Sequence, residues 1–217
     1  MKMTKFHKEL EKEKKDILNM GRLAKDMLSK SVTALKEQDK ELAEWVISKG
    51  DTIRYMDDEI EEDLLRFIAL YQPVAKDMRL IACGLKMITY MARIGRYGRD
   101  IAKIAIELPD QPHLAKLVSI PRMAEIANSM VSDSLKAFKN GDLSPLKDFE
   151  ERDNTLDAMR YSIFRECVTF MMESPNNITR CANYVMVARY IERCGDHACK
   201  MAEKIHYMVT GERIEIS

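Results

Sequence analysis

No stretch of this sequence approaches the run of about 20 apolar residues that a helix needs to cross a bilayer. Neither sign of charge is in excess, with 35 Lys and Arg against 35 Asp and Glu, so the electrostatic footprint of a nucleic-acid partner is missing. The five cysteines (Cys83, Cys167, Cys181, Cys194, Cys199) include no C-x-x-C pair and mostly fall on apolar helical faces. Free buried thiols in a reducing compartment fit that pattern. The N-terminus mixes Lys and Glu without an apolar segment, so no secretory signal is expected and the protein reads as cytoplasmic. There is no Ser/His/Asp set, no Gly-rich phosphate loop and no Cys/His arrangement, so no catalytic or cofactor-binding residue is assigned and no enzyme is expected. Only six prolines and eight glycines punctuate 217 residues, which predicts long elements and few turns.

Helical periodicity supplies those elements. Phe6, Leu10, Ile17, Leu23, Met27, Val32 and Leu35 share one side of a first helix ending near Lys36. A second, from about Glu41 to Tyr71, carries Leu42, Val46, Ile53, Met56, Ile60, Leu64 and Phe67. Gln72-Pro73 breaks it, since proline disfavours a helical residue before it. The third runs from about Val74 to Leu108. Pro109, Pro112 and Pro121 mark a proline-dense stretch, where a boundary divides residues 1–110 from 111–217. A fourth helix follows and closes at Asn140-Gly141-Asp142, a fifth spans about Pro145 to Glu173, and after Ser174-Pro175 a sixth reaches Val209. The expected fold is all-α, two tandem antiparallel three-helix bundles.

The second half repeats the first. A shift of 103 places Met20 on Met123, Met27 on Met130, Val46 on Phe149, Ile53 on Leu156 and Ile60 on Ile163. The third helix needs a shift of 100, which sets Tyr90, Arg93 and Gly95 on Tyr190, Arg193 and Gly195. Three extra residues therefore sit near Gln72-Pro73-Val74-Ala75, in a loop, where a duplication tolerates them.

One difference between the halves carries chemistry. Asp153 and Asp157 lie four apart on helix five, Glu192 and Asp196 four apart on helix six, so each pair shares a helical face. Around a helical hairpin, facing residues have numbers with a constant total, and Asp157 with Glu192 gives the same 349 as Asp153 with Asp196. Both pairs should lie level, about 26 Å from the turn. Glu192 also falls on the apolar seam of helix six, where a carboxylate costs several kcal/mol unless paired or metal-bound. Four level carboxylates suit a hard cation such as Mg, Mn or iron. The competing arrangement pairs them with Arg160, Arg189 and Arg193. In the first half the same four positions are Gly50, Arg54, Ala92 and Arg96, which offer no ligand, so a metal is expected in the second half only.

The stretch Arg189-Tyr190-Ile191-Glu192-Arg193-Cys194-Gly195-Asp196-His197-Ala198, followed by Met208-Val209-Thr210-Gly211-Glu212, resembles the signature helix of PhoU-type phosphate-signalling regulators. Gln72-Pro73-Val74-Ala75-Lys76-Asp77-Met78-Arg79 resembles the segment opening that family's third helix. The resemblance implies a cytoplasmic negative regulator of phosphate uptake. Its partners would be a phosphate-importing ABC transporter and a sensor histidine kinase, with the regulator peripheral to the membrane through them and expected as a homodimer. It also implies that the metal-binding E/D-x-x-x-D motifs of relatives map onto Asp153, Asp157, Glu192 and Asp196.

The alternative from another class is a carboxylate-bridged di-metal bundle, a ferritin-like oxidase or metal store. Glu203-Lys204-Ile205-His206 is the E-x-x-H that such proteins carry, but they need two and this chain has one. An exposed Glu203 with a capping or surface His206 is expected instead. His197 sits about 100° around the helix from Asp196 and is expected to be partly exposed. The methionines at seam positions read as core filler, Met171 and Met172 as possible partner contacts, and Asp57 to Asp63 as a solvated acidic face.

Overall fold

Six long helices carry the chain: α1 (Lys2–Glu37), α2 (Lys40–Tyr71), α3 (Ala75–Glu107), α4 (Ser119–Asn140), α5 (Phe149–Glu173) and α6 (Ile178–Thr210). A computed structural model describes them over residues 2–108, 112–114 and 119–216. Their ends follow from local chemistry. The Asp39 carboxylate accepts from the Leu42 N–H at 2.9 Å and starts α2, satisfying a donor the helix itself leaves free. Gly141 and Gly211 end α4 and α6 in the left-handed region, at φ 69° and 82°, each returning its N–H to the last turn. Between α2 and α3, Gln72 and Ala75 take φ of 47° and 44°, which side chains other than glycine rarely adopt. The extra residues of the first half thus make a strained joint. In the second half Pro175–Asn177 forms a single 3₁₀ turn at the corresponding place.

Two boundaries differ from expectation. α5 begins at Phe149, because Asp142 accepts from both the Ser144 N–H (2.9 Å) and hydroxyl (2.6 Å) and winds Ser144–Leu146 into a separate 3₁₀ turn. Pro121 is not part of a linker but lies in the first turn of α4, where a missing N–H costs nothing. The division at 110/111 lies outside the described residues.

α1, α2 and α3 pack as one three-helix bundle and α4, α5 and α6 as a second, and no strand occurs among the described residues. The repeated seams form the cores. Met20, Met27, Met123 and Met130 are fully buried, each contributing about 1.5–3 kcal/mol by leaving water, while Met56 and Met159 are only partly buried. The duplicated glycines mark the closest approaches: a Cβ on Gly95 would overlap Ile53, and one on Gly195 would overlap Leu156, the residue that aligns with Ile53.

The bundles lie side by side, α3 against α6 and α1 against α4. Four rings from alternating helices stack across the first contact. Tyr90 lies on His197 (centroids 5.6 Å apart), His197 on Tyr97 (5.9 Å) and Tyr97 on Tyr190 (5.4 Å). The shift of 100 maps Tyr90 onto Tyr190 and Tyr97 onto His197, so the stack straddles the pseudo-two-fold axis of the duplication.

Candidate functional site

α5 and α6 form the hairpin that positions the four carboxylates. Gly195 lets α5 come in close: its Cβ position lies 3.4 Å from Asp153 Oδ1 as well as against Leu156. The four carboxylates lie near enough to feel one another. The charges of Asp196 and Asp157 act on Asp153, and those of Asp196 and Asp157 act on Glu192. Burial is the larger cause in both cases, and together these effects raise the Asp153 and Glu192 carboxyls above their ordinary range. Asp153 also hydrogen-bonds the buried Cys199 thiol.

Arginines answer much of that charge. Arg189 reaches both oxygens of Glu192, at 2.5 and 2.6 Å, and Arg160 Nε stands 3.7 Å from it. Arg160 is further held over the Tyr161 ring at 4.2 Å. Arg193 Nη1 donates to Asp196 at 2.9 Å. Glu192 is buried, Asp153, Asp157 and Asp196 are half-buried, and nothing pairs with Asp157 among the interactions described. The carboxylates do not stand as a preformed cation site: two of the four face guanidinium groups, and among the described residues no three His, Cys, Asp or Glu side chains converge on one point, so a cation would have to displace Arg189 and Arg193.

In the first bundle the aligned positions behave as their chemistry dictates. Gly50 admits the Arg99 side chain, whose Cδ lies 3.0 Å from where a Cβ would stand, and Arg54 pairs with Asp51 at 3.2 Å. Ala92 is half-buried and Arg96 exposed.

Two expectations about α6 are corrected. His197 is buried, 9% exposed, because its face of the helix meets α3 rather than solvent. Burial, then the charge of Arg93, push its pKa down to about 4, so the ring is neutral, and its Nε2 has no hydrogen-bond partner. Glu203 is also buried, held by Lys200 Nζ at 2.7 Å and by the Ile216 N–H at 3.2 Å as the C-terminal segment folds back along α6. His206 is half-buried and bonds the Glu212 carbonyl at 3.1 Å, a capping role as expected. The lone E-x-x-H therefore faces no second set. All five cysteines are buried and free, and burial pushes the Cys83 and Cys167 thiols up to about 12.

The aromatic stack was the feature that sequence periodicity missed. Its signal lay in the matched Tyr90 and Tyr190, each followed seven residues later by a ring on the same helical face.

Six helices in two bundles, with matched glycine contacts at Gly95 and Gly195, define a tandem three-helix-bundle protein. Residues 17–105 and 120–205 each match the PhoU domain family, and the chain belongs to that family. It is 38% identical over 97% of its length, and 96% of the relative's, to the "Phosphate-specific transport system accessory protein PhoU homolog" of Aquifex aeolicus. The protein of the same description from Clostridium acetobutylicum is 32% identical over 98% of this chain and 97% of its own. Among solved structures, PhoU from Pseudomonas aeruginosa superposes with a TM-score of 0.91 at 34% identity, covering 95% of this chain and all of that one. The phosphate transport system regulatory protein PhoU from Streptococcus pneumoniae gives 0.87 at 26% identity, covering 97% and 99%.

Proposed function

We propose that the chain is a cytoplasmic, non-enzymatic negative regulator of phosphate uptake and phosphate-starvation signalling. It acts as an adaptor between a phosphate ABC transporter and a sensor histidine kinase, as a homodimer. The observation that carries this reading is full-length membership: both halves match the family, and relatives covered end to end are described as accessory proteins of phosphate transport. Two unlike outer faces support an adaptor. On α5, Tyr161, Phe164, Val168 and Met172 are exposed along one stripe. The aligned face of α2 offers the exposed Asp58 and Glu61 in place of the first two rings, and the exposed Leu65 in place of Val168. A stripe apolar throughout and one acidic over half its length are suited to different partners.

Deleting the protein is expected to leave phosphate-starvation genes switched on in plentiful phosphate. Normal repression in the deletion strain would overturn the assignment. We propose also that any cation the chain takes up enters among Asp153, Asp157, Glu192 and Asp196, displacing Arg189 and Arg193, with none bound by the first half. Elemental analysis should find metal in the wild type and none in the Asp153→Ala, Asp196→Ala variant. A metal-free wild type, or metal retained in the variant, counts against it.

A further inference from the structure

A cavity of about 530 Å³ opens between the two bundles where the first turns of α1 and α3 meet the last turns of α4 and α6. Leu10, Phe138 and Met208 line it and are buried, so they form its floor, with Leu80 beside them. Lys14, Lys76 and Lys139 line it as well, the last two exposed at its rim. None of these three lysines has a carboxylate at ion-pair distance among the described residues; the contact recorded for them is that of Lys14 with the Phe138 ring, at 6.0 Å. Two acidic residues, Glu11 and Asp77, share the lining, with Asp77 3.6 Å from His7, so the three lysines leave an excess of positive charge.

The helix ends around the cavity are tuned the same way. α3 presents its N-terminal, positive end. The negative ends of α4 and α6 are answered: Gly141 and Gly211 return their N–H groups to the last turns, and Arg79 Nε donates to the Met208 carbonyl at 3.4 Å. That contact also joins the two motif stretches, Gln72 to Arg79 and Met208 to Glu212, which are far apart in sequence.

The duplication offers a comparison. At the pseudo-symmetric corner, between the last turn of α1 and the first turns of α6, residues 112–114 of the chain cross the helix ends. There His113 bonds the Tyr184 hydroxyl at 2.7 Å and the Lys36 carbonyl at 3.1 Å, and Arg180 donates to the Pro112 carbonyl at 2.7 Å. At the open corner the C-terminal segment turns away along α6 to Glu203 instead. One corner is crossed by a bonded stretch of chain; the other keeps a cavity lined by three lysines against two carboxylates.

We propose that the open corner binds a phosphorylated small molecule. Lys14, Lys76 and Lys139 would hold the phosphoryl group, and the organic part would lie over Leu10, Leu80 and Phe138. The volume falls in the range of small-molecule sites and exceeds what a bare anion needs. Binding to the isolated chain requires no partner, so this site stands or falls separately from the regulatory role. The phosphoryl group could belong to free phosphate or to an organic phosphate, and the probes separate them. Calorimetric titration of the full chain at about 0.15 M salt, where loose surface attraction is screened, would use inorganic phosphate, AMP and adenosine. AMP binding with adenosine about tenfold or more weaker is expected, and assigns an organic phosphate. Phosphate binding as tightly as AMP also supports the site but assigns the free anion. The Lys14→Ala, Lys76→Ala, Lys139→Ala variant should weaken whichever probe binds by about tenfold or more; the single exposed change Lys139→Glu carries the same test if the triple variant fails to fold. Binding of neither phosphate nor AMP, or binding unchanged in these variants, overturns the proposal.

Discussion

The two bundles are copies that have kept their insides and changed their faces. Gly95 against Ile53 and Gly195 against Leu156 repeat the same close packing, and the seam methionines repeat as well. Yet at one height of that common frame the first half carries Gly50, Arg54, Ala92 and Arg96 and the second carries Asp153, Asp157, Glu192 and Asp196. Interior packing tolerates little change in volume, so it holds both copies to one shape. Side chains that reach solvent escape that constraint, and there a copy can acquire its own electrostatics at little cost to the fold.

Changes that make one half resemble the other test this division. The largest effect is expected at Glu192→Ala, which installs the residue the first half has at Ala92. It would strand Arg160, whose Nε is already buried without a hydrogen bond, beside a lost carboxylate. A loss of about 2 kcal/mol is expected in denaturant unfolding, below the usual cost for a buried pair because Arg189 can turn to solvent. Gly98→Ala installs the residue found at Ala198. The new Cβ would lie 2.9–3.0 Å from the backbone of Met27 and Leu28, which cannot rotate away, so a loss of about 1–2 kcal/mol is expected despite alanine's better helix propensity. An unchanged midpoint would show that α1 and α3 can slide apart.

In the opposite direction, Ala75→Gly should raise stability by about 0.5–1 kcal/mol, because it relieves a left-handed residue that the second half has no need of. The smallest change is expected from His197→Tyr, which restores the ring of Tyr97 and removes the unpaired buried Nε2. Its thermal midpoint should equal or slightly exceed that of the wild type, within about 1 kcal/mol. A clear loss would mean that the imidazole is held by something other than its stacking.

Helix count, the duplication and the clustering of the four carboxylates were all legible, because each rests on spacing along one helix or one hairpin. What spacing does not encode is the partner on the far side. Glu203 read as exposed because its cover, Ile216, arrives from the chain end by a fold-back that no periodicity announces. His197 read as partly exposed because a single-bundle seam leaves its face unassigned, and packing of α6 on α3 buries it. Spacing brought the carboxylates into one neighbourhood, but whether Arg189 and Arg193 would lean onto them is a choice among rotamers. The same i,i+3 spacing that permits Arg193 to meet Asp196 also permits both to face water. At α5 a turn won over propensity, as Asp142 captured Ser144 and delayed the helix to Phe149.

The stack of Tyr90, His197, Tyr97 and Tyr190 bears on how the molecule comes apart. Rings drawn alternately from α3 and α6 interleave like the teeth of a zip, so neither bundle can withdraw without opening all three contacts together. Two cores that look separable in sequence are thereby expected to unfold in one cooperative transition. A single calorimetric peak, rather than one for each repeat, is the signature of that coupling. The same interleaving gives the α3–α6 contact a path by which a push on the second bundle would displace the first, coupling two outer faces of unlike chemistry.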